Sequence, residues 1–156
     1  MKPVVGEPAP DFSTQAVCPN GGGTVPVSLS ELRGKRVILV FYPKDNTPGC
    51  TMQACAIRDQ WNTLKDKAVI YGVSGDDEAS HKKFITKRKL PYPLLVDTNH
   101  QISDAYGAWV QKSLFGKKYM GIERSTFVIG VDGTLEHAFE RVSPLKHIGL
   151  LLDALK

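Results

Sequence analysis

The sequence predicts an α/β fold in which a central mixed β-sheet is flanked by helices. First, residues 37–42 are all apolar and rich in β-branched and aromatic side chains, which is typical of a strand buried on both faces. Second, segments with helical periodicity alternate with further apolar runs. Third, the turn dipeptide Asp132-Gly133 separates two late apolar segments, which indicates an antiparallel hairpin.

The first half of the chain predicts a parallel β-α-β-α-β unit. Pro43 ends the first strand, and apolar residues at helical spacing between Ala54 and Leu64 then indicate a helix. An aspartate at position 76 or 77 is a suitable N-cap for the next helix. The predicted elements are strands at 36–42, 68–74 and 93–97, and helices at about 51–64 and 77–89.

The second half predicts a short helical patch at 101–106 and then a β-β-α unit. Its strands cover 125–130 and 135–139. Ser143-Pro144 is suited to the N-cap and first residue of a closing helix that runs to about Leu155. A parallel unit joined to an antiparallel one, with helices able to cover both faces of the sheet, is the arrangement of the thioredoxin fold with an inserted strand and helix.

Length and composition suit one globular domain over residues 1–156. With 42% hydrophobic and 23% charged residues, the chain has the composition of an ordinary folded protein. Its longest apolar run is far below the roughly 20 residues of a membrane span, and Met1-Lys2-Pro3 does not begin a signal peptide. We therefore expect no membrane partner.

Charge, cysteine and histidine patterns indicate which partners, location and cofactors to expect. The basic residues at 82–89 lie in a predicted helix and are interpreted as a solvated face, so no nucleic-acid partner is expected for this chain of net charge +4. Three cysteines are too few for a disulfide-stapled secreted domain, which favours a reducing, cytoplasmic location. The histidines stand on separate predicted elements without CxxC or HxxxH spacing, so neither a metal nor a cofactor is expected. They are His81, His100, His137 and His147.

Cys50 is the residue best placed for chemistry. It follows the loop at 43–49 and stands where a helix begins, and first-turn N–H groups together with the helix dipole favour a thiolate there. The alternative is a small buried hydrophobic residue, since free cysteine is often buried. Gly49 just before it, the Thr47 hydroxyl and the nearby Cys55 favour a reactive thiol.

The spacing of Cys50 and Cys55 determines whether the two cysteines can form a disulfide within a regular helix. On a regular helix, five residues correspond to a rise of ~7.5 Å and a rotation of ~140°, which separates the two Cα atoms by about 8.6 Å. A disulfide needs Cα atoms within about 7 Å. If this pair is redox-active, the first turns of the helix must therefore unwind.

Residues 41–51, followed by Cys55, closely resemble the active-site loop of the peroxiredoxins, specifically the PrxQ or bacterioferritin-comigratory-protein subfamily. The family signature of a proline, a hydroxyl residue and a cysteine falls on Pro43, Thr47 and Cys50. The resemblance extends over nearly the whole chain. It includes residues 6–12, 106–117 and 122–127.

The resemblance implies a thioredoxin-like fold with the peroxiredoxin-type insertion, and a thiol peroxidase that reduces hydrogen peroxide and organic hydroperoxides. Cys50 would attack the peroxide and become a sulfenic acid. Arg124 carries over as the residue that holds the thiolate and the peroxide, and Thr47 as the residue whose hydroxyl bonds to the bound oxygen. Pro43 would shield the sulfur from water.

The same resemblance implies how the enzyme is recycled. Cys55 matches the resolving cysteine, which would form an intramolecular disulfide that thioredoxin or a similar dithiol donor reduces. The subfamily pattern favours a monomer. Many relatives have Glu where this chain has Gln53, so we assign Gln53 no catalytic role, and Cys18 is interpreted as an incidental thiol.

Two other functions are compatible with parts of the sequence. A thioredoxin-type disulfide oxidoreductase fits the fold, but its two cysteines stand two residues apart and its proline is absent next to Arg124. A thiol redox sensor or chaperone-like protein would use the same cysteines as a peroxidase. Such a protein would oxidise once, without sustained turnover.

Overall fold

The computed structural model describes residues 2–155, which form a seven-stranded sheet, a separate two-stranded sheet and the helices around them. The strands are β1 (Ser13–Val17), β2 (Thr24–Ser28), β3 (Val37–Phe41), β4 (Val69–Ser74), β5 (Leu94–Val96), β6 (Trp109–Leu114), β7 (Lys117–Ile122), β8 (Ser125–Ile129) and β9 (Leu135–Phe139). The α-helices are α1 (Pro48–Asp59), α2 (Trp61–Leu64), α3 (Glu78–Arg88), α4 (Gln101–Ala105) and α5 (His147–Ala154).

The large sheet is mixed, as predicted, with the strand order β2-β1-β5-β4-β3-β8-β9. Strands β3, β4 and β5 are parallel, whereas β8 pairs antiparallel with β3, and β9 with β8. Phe41 at the end of β3 lies opposite Ser125 at the start of β8. Because of this register, the loop after β3 and the residues before β8 meet at the carboxyl end of β3.

Two apolar clusters cover the two faces of the large sheet. Alternate residues of β3 and its continuation at Tyr42 supply one cluster, together with side chains of α1, α3 and α5. The other residues of β3 supply the second cluster, together with side chains of α4 and β8. All five residues of β3 are buried, which confirms the strand that the apolar run predicts.

Two helix boundaries differ from the prediction. The helix predicted over 51–64 begins earlier, at Pro48, because proline is compatible with the first helical turn, and it breaks at Gln60 before α2. The closing helix begins at His147, later than Ser143-Pro144 predicts. The Ser143 carbonyl accepts hydrogen bonds from the N–H groups of residues 146 and 147, so a turn precedes α5.

Sequence patterns did not predict the hairpins β1–β2 and β6–β7. In β6 and β7 most residues are exposed or half-buried, so the apolar periodicity that marks a core strand is missing. Phe115 at the tip of the second hairpin is 96% exposed and has a φ of 51°. Each helix of residues 2–155 is too short or too polar to cross a lipid bilayer.

Candidate active site

The loop between β3 and α1 brings Cys50 to the first turn of a helix. Asn46 adopts a left-handed φ of 59°, and Thr47 is extended as the N-cap residue of α1. The Thr47 hydroxyl donates to the carbonyl oxygen of Lys44 at 2.8 Å, which closes the loop. Cys50 is 2% exposed, so its sulfur sits beside the positive end of the helix in a largely water-free site.

Arg124 reaches Cys50 from the other side of the site. Its Nη2 atom lies 3.4 Å from Cys50 Sγ. Arg124 directly precedes β8, and the pairing of Ser125 with Phe41 holds it beside the end of β3. The guanidinium is a fixed positive charge beside the sulfur, which also lies in the first turn of α1 near the positive end of the helix.

Gln53 anchors the arginine. Its Oε1 atom accepts a hydrogen bond from Arg124 Nη1 at 2.6 Å, and its side chain is 2% exposed. Gln53 stands three residues after Cys50 and therefore lies on the same face of α1. Sequence reasoning assigned it no role, although this helical spacing was a signal for contact. The amide orients the guanidinium without neutralising it.

Gly49 allows the arginine to approach the helix. A Cβ atom at this position would lie 3.1 Å from Arg124 Nη2 and 3.3 Å from Pro144 Cγ. Both distances are shorter than ordinary van der Waals contacts, so a side chain here would require these neighbours to shift by a few tenths of an ångström. The glycine before the cysteine thus leaves room for Arg124 beside the helix.

His147 lies behind Arg124 and was not predicted to belong to the site. Its Nε2 atom lies 2.7 Å from the hydroxyl oxygen of Thr126, which stands two residues after Arg124 on β8. Burial and the positive charge of Arg124 lower the pKa of His147 to about 4. The imidazole is therefore neutral at physiological pH.

The depressed pKa of His147 predicts a pH-dependent stability. The unfolded chain binds the proton at its ordinary pKa of 6.5, so stability is complete above that pH and decreases as the pH falls toward about 4. At pH 4 we expect His147 to account for a loss of about 3 kcal/mol. Urea denaturation at pH 7 and pH 4 measures this loss. His147→Gln, which keeps a polar partner for Thr126, should show a correspondingly shallower decrease, and parallel curves for the two proteins would contradict the prediction.

Lys112 brings a second cation near the site from the β6–β7 hairpin. Its Nζ atom donates to the carbonyl oxygen of Ile122 at 2.6 Å. Partial burial, followed by the charge of Arg124, lowers its pKa, while Glu123 and Cys50 act in the opposite direction. The hairpin that sequence patterns missed thus borders the site.

The other predicted site residues, Cys55 and Pro43, lie in α1 and in the loop before it. Cys55 lies in α1 with Cys50 and is half-buried, so the two cysteines share one helix, as predicted. Both are free thiols, as is Cys18, which follows β1. Pro43 lies between β3 and α1 with an exposed side chain, so its role in shielding the sulfur stays a prediction.

A buried cysteine in the first turn of a helix, with an arginine 3.4 Å from its sulfur, is the arrangement of a reactive-thiol site on a mixed α/β sheet. The chain belongs to the AhpC/TSA family, which matches residues 5–138. It is 44% identical over 153 residues to Peroxiredoxin Bcp of Bacillus subtilis, covering 97% of this chain and 94% of that protein. It is 40% identical over 158 residues to Peroxiredoxin Bcp of Escherichia coli K12, covering 100% and 98% of the two chains.

Solved structures lead to the same subfamily. A bacterioferritin comigratory protein of Xanthomonas campestris, studied for alkyl peroxide reduction, has a TM-score of 0.84 and 30% identity, covering 92% of this chain and 89% of that chain. A cysteine-to-serine mutant of PrxQ from Xylella fastidiosa has a TM-score of 0.89 and 26% identity, covering 99% and 96%. The chain is a thiol peroxidase of the peroxiredoxin class, which confirms the predicted fold class and activity.

Proposed function

We propose that Cys50 is the cysteine that attacks hydrogen peroxide and organic hydroperoxides. The observation that carries this assignment is the 3.4 Å contact between Arg124 Nη2 and Cys50 Sγ at the start of α1. A positive charge and a helix terminus together stabilise the nucleophilic thiolate. The alkyl peroxide reduction studied for the Xanthomonas relative supports organic hydroperoxides as substrates.

The proposed first step oxidises the sulfur by two electrons. The Cys50 thiolate bonds to one peroxide oxygen, the O–O bond breaks, and the other oxygen leaves as hydroxide or alkoxide and takes a proton. The product on sulfur is a sulfenic acid. Arg124 would stabilise the charge that develops on the departing oxygen. The Thr47 hydroxyl donates its hydrogen bond to the Lys44 carbonyl oxygen, so the lone pairs of the hydroxyl oxygen can accept a hydrogen bond from the peroxide O–H. Pro43 would limit the access of water to the sulfur.

The proposed second step forms a disulfide. The Cys55 thiol attacks the Cys50 sulfenic acid, an S–S bond forms and water leaves. Thioredoxin or a similar dithiol donor would then reduce the disulfide. The location of both cysteines in α1 supports Cys55 as the resolving residue, and the helical separation implies that α1 unwinds before the bond forms.

We also propose that the enzyme works as a monomer with one domain over residues 1–156. Cys50, Arg124 and Gln53 all come from one chain, and one sheet joins the elements that position them. We propose a cytoplasmic location, where dithiol reductants are available. A count of three cysteines, too few for a disulfide-stapled secreted domain, supports such a reducing compartment.

Three cysteine variants test the proposed cycle. Cys50→Ser should abolish peroxide consumption in a thioredoxin-coupled assay, because serine is not ionised at neutral pH. Cys55→Ser should keep the first oxidation, seen by stopped flow, but lose sustained turnover by more than about tenfold, because the sulfenic acid has no resolving partner. Cys18→Ser is the matched control and should turn over at the wild-type rate.

Mass mapping after one equivalent of peroxide completes this test. A Cys50–Cys55 disulfide is the expected product. Undiminished turnover in Cys55→Ser would show that resolution runs through Cys18 or an external thiol. A single oxidation without turnover in the wild-type protein would instead identify a thiol sensor.

A further inference from the structure

A largely buried polar network, in which Asp76 and Ser80 are half-buried, lies behind the Cys50 loop and takes no part in the proposed chemistry. We call it the Asp45 network. Its members come from the loop, from the ends of β3 and β4, and from the start of α3. They are Tyr42, Asp45, Ser74, Asp76, Ser80 and His81. The side chains of His81 and Asp45 are 0% and 1% exposed.

The hydrogen-bond partners of His81 indicate where the hydrogens on its ring nitrogens lie. Its Nε2 atom lies 2.8 Å from the carbonyl oxygen of Leu95, which can only accept, so Nε2 carries a hydrogen. Its Nδ1 atom lies 2.7 Å from Asp45 Oδ2, and one proton must lie between them. Asp45 also accepts hydrogen bonds from Tyr42 and Ser80. Three hydrogen-bond partners, Tyr42, Ser80 and His81, therefore surround one buried carboxyl group and fix its position.

The network contains groups that can also bind cations. Atoms of Asp45, Asp76 and His81 lie within 4.8 Å of one another. These atoms, however, already serve protein partners: Asp45 Oδ2 faces His81, and Asp76 Oδ2 accepts from the Asp45 N–H at 2.8 Å and from Ser74 at 2.6 Å. The hydrogen bonds within the protein thus account for the arrangement.

Asp45 fixes the loop through both its side chain and its backbone. The side chain bonds to α3, and the backbone N–H bonds to Asp76 beyond the end of β4. Its neighbours Lys44 and Asn46 are exposed, so Asp45 is the buried anchor of this loop segment. Thr47 follows two residues later, and its hydroxyl bonds back to the Lys44 carbonyl. Movement of Asp45 would therefore move Thr47 relative to Cys50.

We propose that His81 is a positioning residue for peroxide reduction: by holding Asp45, it keeps the loop at 43–47 in the geometry that Thr47 and Cys50 need. The inference rests on the proposed peroxide attack by Cys50. Near-attack geometry is sensitive to small displacements, and a shift of about 1 Å can cost about 10²-fold in rate. His81 does not touch the reacting atoms and acts only through Asp45.

Two amide substitutions separate the contacts of His81. The side-chain nitrogen of Asn corresponds in bond count to Nδ1, and that of Gln corresponds to Nε2. His81→Asn therefore keeps a donor toward Asp45, whereas His81→Gln keeps a donor toward Leu95 and removes the one toward Asp45. We expect His81→Gln to slow the stopped-flow reaction of hydrogen peroxide with Cys50 by about 10²-fold. His81→Asn should stay within about threefold of the wild type, because it restores the link to Asp45.

Alkylation of Cys50 by iodoacetamide distinguishes positioning from general damage. This reagent needs the thiolate but not the oxygen contacts of the loop, so its rate should change by less than about threefold in His81→Gln. A wild-type peroxide rate in His81→Gln, or an equal loss in both variants, would overturn the proposal. A wild-type protein whose Cys50 does not react with peroxide would instead overturn the proposed function.

A third variant covers the case in which His81→Gln fails to fold, as circular dichroism would reveal. Tyr42→Phe removes one donor to Asp45 without leaving a charge unpaired. We expect a slower peroxide reaction, by about tenfold, with unchanged alkylation. A wild-type peroxide rate in folded Tyr42→Phe would overturn the proposal.

Discussion

Replacing Arg124 by methionine is expected to lower the rate constant of the peroxide reaction by about 10²- to 10³-fold, the usual cost of losing one preorganised charge-stabilising donor. The guanidinium lies 3.4 Å from Cys50 Sγ. Arg124 precedes β8, so the substitution leaves the residues of that strand unchanged. Methionine retains much of the length but none of the charge. Stopped-flow mixing with hydrogen peroxide measures the loss.

The same variant should also slow alkylation of Cys50 by iodoacetamide at neutral pH, because the sulfur loses the cation that lies 3.4 Å from it. Arg36→Met is the matched control. Arg36 forms an exposed ion pair with Glu136 at 3.0 Å and precedes β3, at the opposite end of that strand from Cys50. Unchanged alkylation and peroxide rates in Arg124→Met would remove the arginine from the mechanism.

Oxidation to the Cys50–Cys55 disulfide is expected to unwind the first turns of α1. Amides of residues 50–56 should then lose hydrogen-exchange protection by about 10²-fold or more relative to the reduced protein. The physical reason is the Cα separation of about 8.6 Å on a regular helix, which exceeds the reach of a disulfide. Exchange mass spectrometry of both redox states measures the change.

Two controls make the exchange experiment specific. Helix α3 contains no cysteine, so peptides covering Glu78–Arg88 should exchange equally in both states. Cys55→Ser treated with peroxide forms no such disulfide and should keep its α1 protection. Equal protection of residues 50–56 in reduced and oxidised wild-type protein would show that α1 does not need to unwind.

Three residues around Arg124 explain why the site depends on tertiary packing. Gln53 binds the guanidinium at 2.6 Å, Gly49 leaves it room, and His147 lies behind it as a neutral group. A carboxylate at position 53 would partly neutralise the arginine, whereas the amide orients it and leaves its full charge for the sulfur. Helix α1 thus supplies both the nucleophile and the support for its cation.

Sequence patterns predicted the parts of the fold that bury apolar residues continuously. Strand β3 and the β8–β9 hairpin were recognised because every residue of β3 and of β8 is buried. Hairpin β6–β7 was missed because its residues are largely exposed and lack a core-facing alternation. A strand that buries little apolar surface leaves a weak signal, even when it borders the site as β6 does.

The amino-acid sequence by itself determined the local part of the active site: a loop that begins at Pro43, leads into a helix and places Cys50 in the field of the helix dipole. Only the tertiary structure decided which distant groups surround that sulfur. Arg124 lies 74 residues away along the chain and His81 lies 36 residues from Asp45. Local propensity acts over a few residues, whereas strand pairing and burial bring such groups together, so their contacts follow from the folded sheet.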